Sequence, residues 1–172
     1  MSRPMPDTPA PALSLPLSGG GTWTLNDPKP EHFTMVVFYR GYHCPVCKSY
    51  LQALKAVLPK YRDAGFDVIA VSMDDAERAA KTVSEWDLDG LPVGYGLTRA
   101  QAEAWGLYLT QAIRDTESAV FSEPGLFWVR ADGRLYMAAV ANMPWARPDL
   151  EFLASKIPFV LQNGYPARGT VS

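Results

Sequence analysis

Two uncharged runs of strand length, separated by an amphipathic stretch of helix length, constrain this chain more than any other feature. Phe33 to Tyr39 (FTMVVFY) is β-branched and aromatic and carries no charge, the pattern of a strand buried on both faces. Gly41 breaks it. From Cys44 to about Arg62 the apolar residues Val46, Tyr50, Leu51, Leu54, Val57 and Leu58 recur at helical spacing and line one face. Pro59 and, a turn later, Gly65 mark the expected end of that helix. Phe66 to Val71 is a second apolar strand. A strand–helix–strand unit this short closes right-handed and lays its two strands parallel in one sheet.

Downstream, Ser72-Met73-Asp74-Asp75 reads as a strand-to-helix loop with acidic caps, followed by a helix from Ala76 to about Trp86. Asp89-Gly90 and Pro92 frame a turn around a short strand near Leu91–Val93, and Ala100 to Trp105 reads as a helix ended by Gly106. Leu107 to Glu123 has no clear period and reads largely as loop. Gly125 to Val129 and Arg134 to Val140 are strands joined by Ala131-Asp132-Gly133, a hairpin signal. Pro148 to about Gln162 is a closing helix, with Pro148 in its first turn and Pro158 expected to kink it. Upstream, Thr22 to Leu25 is a short strand after Gly19-Gly20-Gly21, and residues 1–12 are a Pro-rich, flexible arm ahead of one domain over 13–172. The order predicts an α/β sandwich, a mixed central sheet flanked by helices, with an N-terminal extension.

The balance of 16 basic against 18 acidic residues, with no basic stripe, points away from nucleic acid and from anionic membrane surfaces. The apolar runs fall well short of the roughly 18 residues that span a bilayer. Pro6, Pro9, Pro11 and Pro16 interrupt the N-terminal segment, which therefore lacks an apolar stretch of secretory length. The expected compartment is the reducing cytoplasm, where two cysteines do not make a disulfide framework. The chain has 2 cysteines, and they lie three positions apart.

Those cysteines stand in Cys44-Pro45-Val46-Cys47, where the first buried strand passes into the helix. Residues three apart share a helix face with Cα atoms about 5 Å apart, within the range a disulfide accepts. A helix N-terminus offers unpaired N–H groups and a partial positive charge, both of which stabilise a thiolate, and Arg40 adds a full charge nearby. Pro45 lacks an N–H and suits the first turn. The spacing thus predicts a redox-active dithiol. The rival readings are two inert apolar thiols or a zinc site, which needs four ligands where only His32 and His43 supplement the cysteines. His43 reads equally as a group that tunes the thiols or contacts a partner and as a polar turn residue. Asp74 and Asp75 read as a helix cap, Tyr39, Tyr42, Phe127 and Trp128 as core, and Glu117 and Glu123 receive no role. No Gly-rich dinucleotide loop occurs, so no organic cofactor is expected, and no metal.

The layout resembles the thioredoxin fold, and more closely the peroxiredoxin-like AhpC/TSA (redoxin) family, from about Leu13 to about Gln162. The resemblance is carried by GTWTL, VVFYRGYHCPVCKSYLQAL, FDVIAVSMDD and EPGLFWVRADGRLY. It implies a thioredoxin-like sandwich and a thiol-dependent oxidoreductase with an antioxidant or redox-homeostasis role. In it Cys44 and Cys47 would give two electrons to a disulfide or a hydroperoxide and close into a disulfide that a cellular dithiol reductant reopens. The two branches of the resemblance assign the sulfurs differently. In thioredoxin-like exchange proteins the first cysteine attacks, here Cys44, and the second, Cys47, resolves. In peroxiredoxins the attacking cysteine follows a threonine or serine by three positions, with a proline four before that residue; Cys47 then holds the attacking position, Cys44 that of the hydroxyl residue and Arg40 that of the proline. Pro124 stands where thioredoxin-like proteins carry a cis-proline and peroxiredoxins commonly an arginine, and a cis bond is expected there. The alternative is a non-enzymatic binding or metal-carrier module of the same fold, whose thiols would titrate near the ordinary ~8.5.

Overall fold

Phe33–Phe38 (β3) is buried at every position because it lies in the middle of a five-stranded sheet. The computed structural model describes residues 2–172. Two short strands, β1 (Ser14–Pro16) and β2 (Thr22–Thr24), pair antiparallel ahead of β3. Helix α1 (Pro45–Asp63) then crosses to β4 (Phe66–Val71), which pairs parallel to β3 as the apolar runs require. There follow α2 (Ala76–Glu85), the edge strand β5 (Val93–Gly94) and α3 (Arg99–Ala104). Next come β6 (Leu109–Gln111), β7 (Val120–Ser122), β8 (Gly125–Arg130), β9 (Leu135–Val140) and α4 (Leu150–Asn163). The sheet order is β5-β4-β3-β8-β9, with β8 antiparallel to both neighbours, so the sheet is mixed.

Alternation along β3 divides the core between the two faces. Met35 and Val37 join Leu51, Leu54 and Leu58 of α1, both cysteines and Trp128 on one face. Val36 and Phe38 join Leu15, Ile69, Trp105 and Phe127 on the other. Helices α1 and α4 pack against each other. Residues 7–10 lie beside the hairpin of β8 and β9: Asp7 N–H donates to the Leu135 carbonyl at 2.7 Å, Leu135 N–H returns a bond to Thr8 at 2.9 Å, and Asp7 pairs with Arg130 at 3.1 Å. Among the described residues no helix is long and apolar enough to cross a membrane.

Two expectations are corrected, whereas helix α1 ends at Asp63, beside the expected Arg62, and runs on through Pro59. The ring forfeits one helical hydrogen bond, but the turn beyond it is anchored by Tyr61, fully buried, whose hydroxyl donates to the Leu150 carbonyl at 2.6 Å. Helix α4 begins after Pro148: Asp149 is its N-cap and accepts the Phe152 N–H at 2.7 Å, so Pro148 lies outside the first turn, and the helix runs on through Pro158. The stretch read as loop from Leu107 to Glu123 contains the antiparallel pair β6 and β7. Strands of three residues are too short for a period to show.

Candidate redox site

Cys44 is the N-cap of α1, and its extended backbone (φ −102°, ψ 106°) turns the sulfur back over the first turn. There Sγ accepts the Cys47 N–H at 3.2 Å, the bond a serine or aspartate makes in the same position. Pro45 follows with no N–H of its own to satisfy. Arg40, two residues past the end of β3, directs Nη1 to the Cys44 sulfur at 3.8 Å while its Nε faces Glu123 Oε2 at 3.1 Å. Its guanidinium lies 4.8 Å over the Phe121 ring. Glu123 is buried, and its other oxygen accepts the Thr110 hydroxyl at 2.7 Å. These contacts bring the Cys44 thiol down to about 6. The Cys47 thiol's hydrogen bond contributes most, and burial opposes it; the Cys47 N–H and Arg40 add to the lowering. Cys47 is pushed the other way, by burial first and then by its bond to Cys44, with Arg147 opposing. The negative charge of the reduced site therefore sits on Cys44.

Arg147 went unseen in the sequence. It lies in the loop between β9 and α4, and its Nη2 is 2.9 Å from the Cys47 sulfur. The guanidinium is held over the Tyr50 ring at 4.9 Å, and its Nε donates to the Pro144 carbonyl. No motif or spacing ties it to the cysteines, since it comes from a distant part of the chain. Glu123, which had no role in the sequence, was equally invisible as the partner of Arg40.

Pro124 also departs from expectation. The Glu123–Pro124 bond is trans, and the cis X-Pro bond among the described residues is Asp27–Pro28. Pro124 prolongs the ladder of β8 and β9, its carbonyl accepting the Ala141 N–H at 3.0 Å, which suits an extended trans entry to the strand. It lines a small hollow with Tyr50, Ala146 and Arg147. His43 is partly buried and packs its ring 4.6 Å from Phe121, with no hydrogen-bond partner on either nitrogen. Burial and then Arg40 pull its pKa below the ordinary value, so it is neutral near pH 7 and brings no cation to the thiols. His32 lies at the far end of β3 beside Glu31, away from the cysteines.

The acidic pair after β4 divides its work. Asp75 caps α2, accepting the Arg78 N–H at 2.9 Å. Asp74 is buried and braces the turn before Cys44, accepting the Tyr42 N–H at 2.8 Å and the Ser118 hydroxyl at 3.2 Å. Gly41 leaves room for it: its φ is +145°, and a Cβ there would lie 2.8 Å from Asp74 Oδ1. Gly41→Ala is expected to displace Asp74 and free the Tyr42 N–H, destabilising the fold by about 1–3 kcal/mol. Denaturant unfolding would register the loss, and the pH midpoint for alkylation of Cys44 should move upward as the turn loosens.

A thiolate-stabilising CxxC at a helix start, set on a mixed sheet of this order, defines a thioredoxin-fold thiol protein. The sequence matches the AhpC/TSA family over residues 6–138, and the chain belongs to that family. Among solved structures it is similar to the peroxidoxin BcpB of Mycobacterium tuberculosis, at 13% identity over 94% of this chain and 98% of that one, with a TM-score of 0.73. It is similar to peroxiredoxin 6 of Arenicola marina at 14% identity over 92% of this chain and 74% of the other, with a TM-score of 0.76. Peroxiredoxin Q of Xanthomonas campestris shares 20% identity over 88% of this chain and 90% of its own, with a TM-score of 0.65. No curated protein sequence matches the chain. Fold and family make it a thiol-dependent oxidoreductase, and a non-enzymatic module is not favoured.

Proposed function

We propose that Cys44 is the attacking thiolate and Cys47 the resolving thiol of a dithiol cycle that reduces a disulfide. The carrying observation is the asymmetry of the two sulfurs: Cys44 receives the Cys47 N–H at 3.2 Å and the Arg40 guanidinium at 3.8 Å, while burial keeps the proton on Cys47. The Cys44 thiolate attacks one sulfur of the substrate disulfide, forming a mixed disulfide and expelling the other sulfur as a thiolate, which takes up a proton. Cys47 then loses its proton to solvent and attacks Cys44 Sγ. The Cys44–Cys47 bond forms, the mixed disulfide breaks, and the second substrate thiolate leaves. Substrate gains two electrons, the protein loses two, and a cellular dithiol in the reducing cytoplasm returns them.

A hydroperoxide is the second reading, favoured by family membership. In it Cys47 would be oxidised to a sulfenic acid while the alcohol leaves, and Cys44 would displace hydroxide, which takes up a proton and leaves as water. The disulfide is preferred because Cys44 stands where peroxiredoxins carry their hydroxyl residue and Pro124 where they commonly carry an arginine.

The role assignment is tested by alkylation with iodoacetamide across pH, followed by peptide mass spectrometry. The lowered Cys44 value means that its reactive form is present above about pH 6 and is lost as pH falls through it. Modification of Cys44 should rise with a midpoint near pH 6 and level off, with Cys47 unmodified. The Cys47→Ser variant should trap mixed disulfides through Cys44. Rapid, stoichiometric sulfenate on Cys47 in a Cys44→Ser variant given hydrogen peroxide would reverse the roles.

A further inference from the structure

Cys47 poses a problem that Cys44 does not. To resolve an adduct on Cys44 it must become a thiolate, yet it is fully buried in the first turn of α1, where burial opposes ionisation. Four ionisable side chains face it. Cys44 comes from the start of α1, Tyr39 and Arg40 from the segment just after β3, and Arg147 from the loop between β9 and α4. Arg147 is the cation in contact with the sulfur, at 2.9 Å. Its position is fixed by the Pro144 carbonyl and by the Tyr50 ring, which is itself held by the bond its hydroxyl donates to the Pro148 carbonyl at 2.7 Å. Its Nη1 is buried with no hydrogen-bond partner. A half-buried guanidinium beside a neutral thiol is poorly compensated, whereas beside a thiolate it is paired.

We propose that Arg147 is the catalytic residue of the resolving step, holding Cys47 Sγ as the thiolate while that sulfur attacks Cys44 of the adduct. This rests on the reading in which Cys44 attacks first. The order of events is built into the contacts. While Cys44 is a thiolate, it accepts the Cys47 proton in a hydrogen bond and repels a second negative charge. Once Cys44 is tied up in a mixed disulfide both effects vanish, and Arg147 remains as the influence that favours ionised Cys47. The proton leaves to solvent, the new S–S bond forms, and the substrate thiolate departs with its electron pair. The oxidised site then holds no anion for Arg147.

The test uses the full chain and the chromogenic disulfide 5,5′-dithiobis(2-nitrobenzoate) in stopped flow. The first thionitrobenzoate released reports attack by Cys44, and the second reports resolution. In Arg147→Met the first phase should stay within about twofold of the parent while the second slows by about tenfold or more, a tenfold change being one pKa unit of thiolate fraction. Quenched samples should hold the mixed disulfide on Cys44, raising the pH should speed the second phase, and Arg147→Lys should restore part of the rate. An unchanged second phase overturns the proposal and leaves the Cys44 reading intact. Equal slowing of both phases also overturns it, because it reports a structural role. An adduct found on Cys47 of the parent protein would instead overturn the underlying assignment.

Discussion

Cys44→Ser is expected to abolish turnover with disulfide substrates, by roughly a thousandfold or more, because a serine hydroxyl does not attack a disulfide sulfur and no adduct forms. The variant should nevertheless fold. A serine at position 44 accepts the Cys47 N–H as the sulfur does, and serine is among the preferred N-cap residues, so unfolding free energy should change by less than about 1 kcal/mol. The expected result is thus a chemical loss without a structural one, read by steady-state assay alongside circular dichroism melts. Cys47→Ser should behave differently: one equivalent of substrate reacts, and the protein stops as the mixed disulfide. The pair of variants separates the two family readings. If Cys44→Ser retained peroxide turnover with an external thiol while Cys47→Ser was dead, Cys47 would be the nucleophile, as its place in the peroxiredoxin pattern implies.

Much of this architecture is legible in the chain because it is written locally. The uncharged run at Phe33–Phe38, the apolar stripe of α1 and the Asp132-Gly133 turn between β8 and β9 each report their own structure through period, composition or turn chemistry. The cysteines are found the same way, since three positions on a helix start is itself a geometry. What escapes is fixed by partners far along the chain. Arg147 reaches Cys47, Glu123 aims Arg40, and Asp74 braces Tyr42, all through side-chain contacts that leave no spacing in the sequence. Pro59 is tolerated inside α1 for a related reason. Its local preference is to break the helix, and the buried Tyr61 anchor outweighs it. At Pro124 the analogy with cis-proline proteins failed where strand geometry prevailed, its carbonyl extending the ladder to Ala141.

Trp128→Ala is expected to be the most damaging single core substitution for stability, costing about 3–5 kcal/mol. Trp128 stands in β8 and is 2% exposed. It packs edge-on to Phe66 at 4.9 Å, stacks on Tyr136 at 6.2 Å and lies 5.6 Å from Phe33, so its removal opens a cavity bounded by rings that the sheet backbone holds apart. The loss is a large part of the roughly 5–15 kcal/mol that stabilises a typical domain, and should lower the melting temperature by about 10 °C or more. Trp128→Phe separates packing from polarity. The indole N–H has no hydrogen-bond partner, so phenylalanine removes an unsatisfied donor while keeping most of the ring, and should cost less than about 1.5 kcal/mol. Neither variant should move the alkylation midpoint of Cys44 at temperatures where it stays folded. Trp128 pairs with Met35, whereas the end of β8 nearest the site is Gly125, paired with Phe38. A midpoint that shifted with Trp128→Ala would mean that the aromatic cluster, and not the helix start with its two arginines, sets the reactivity of the thiol.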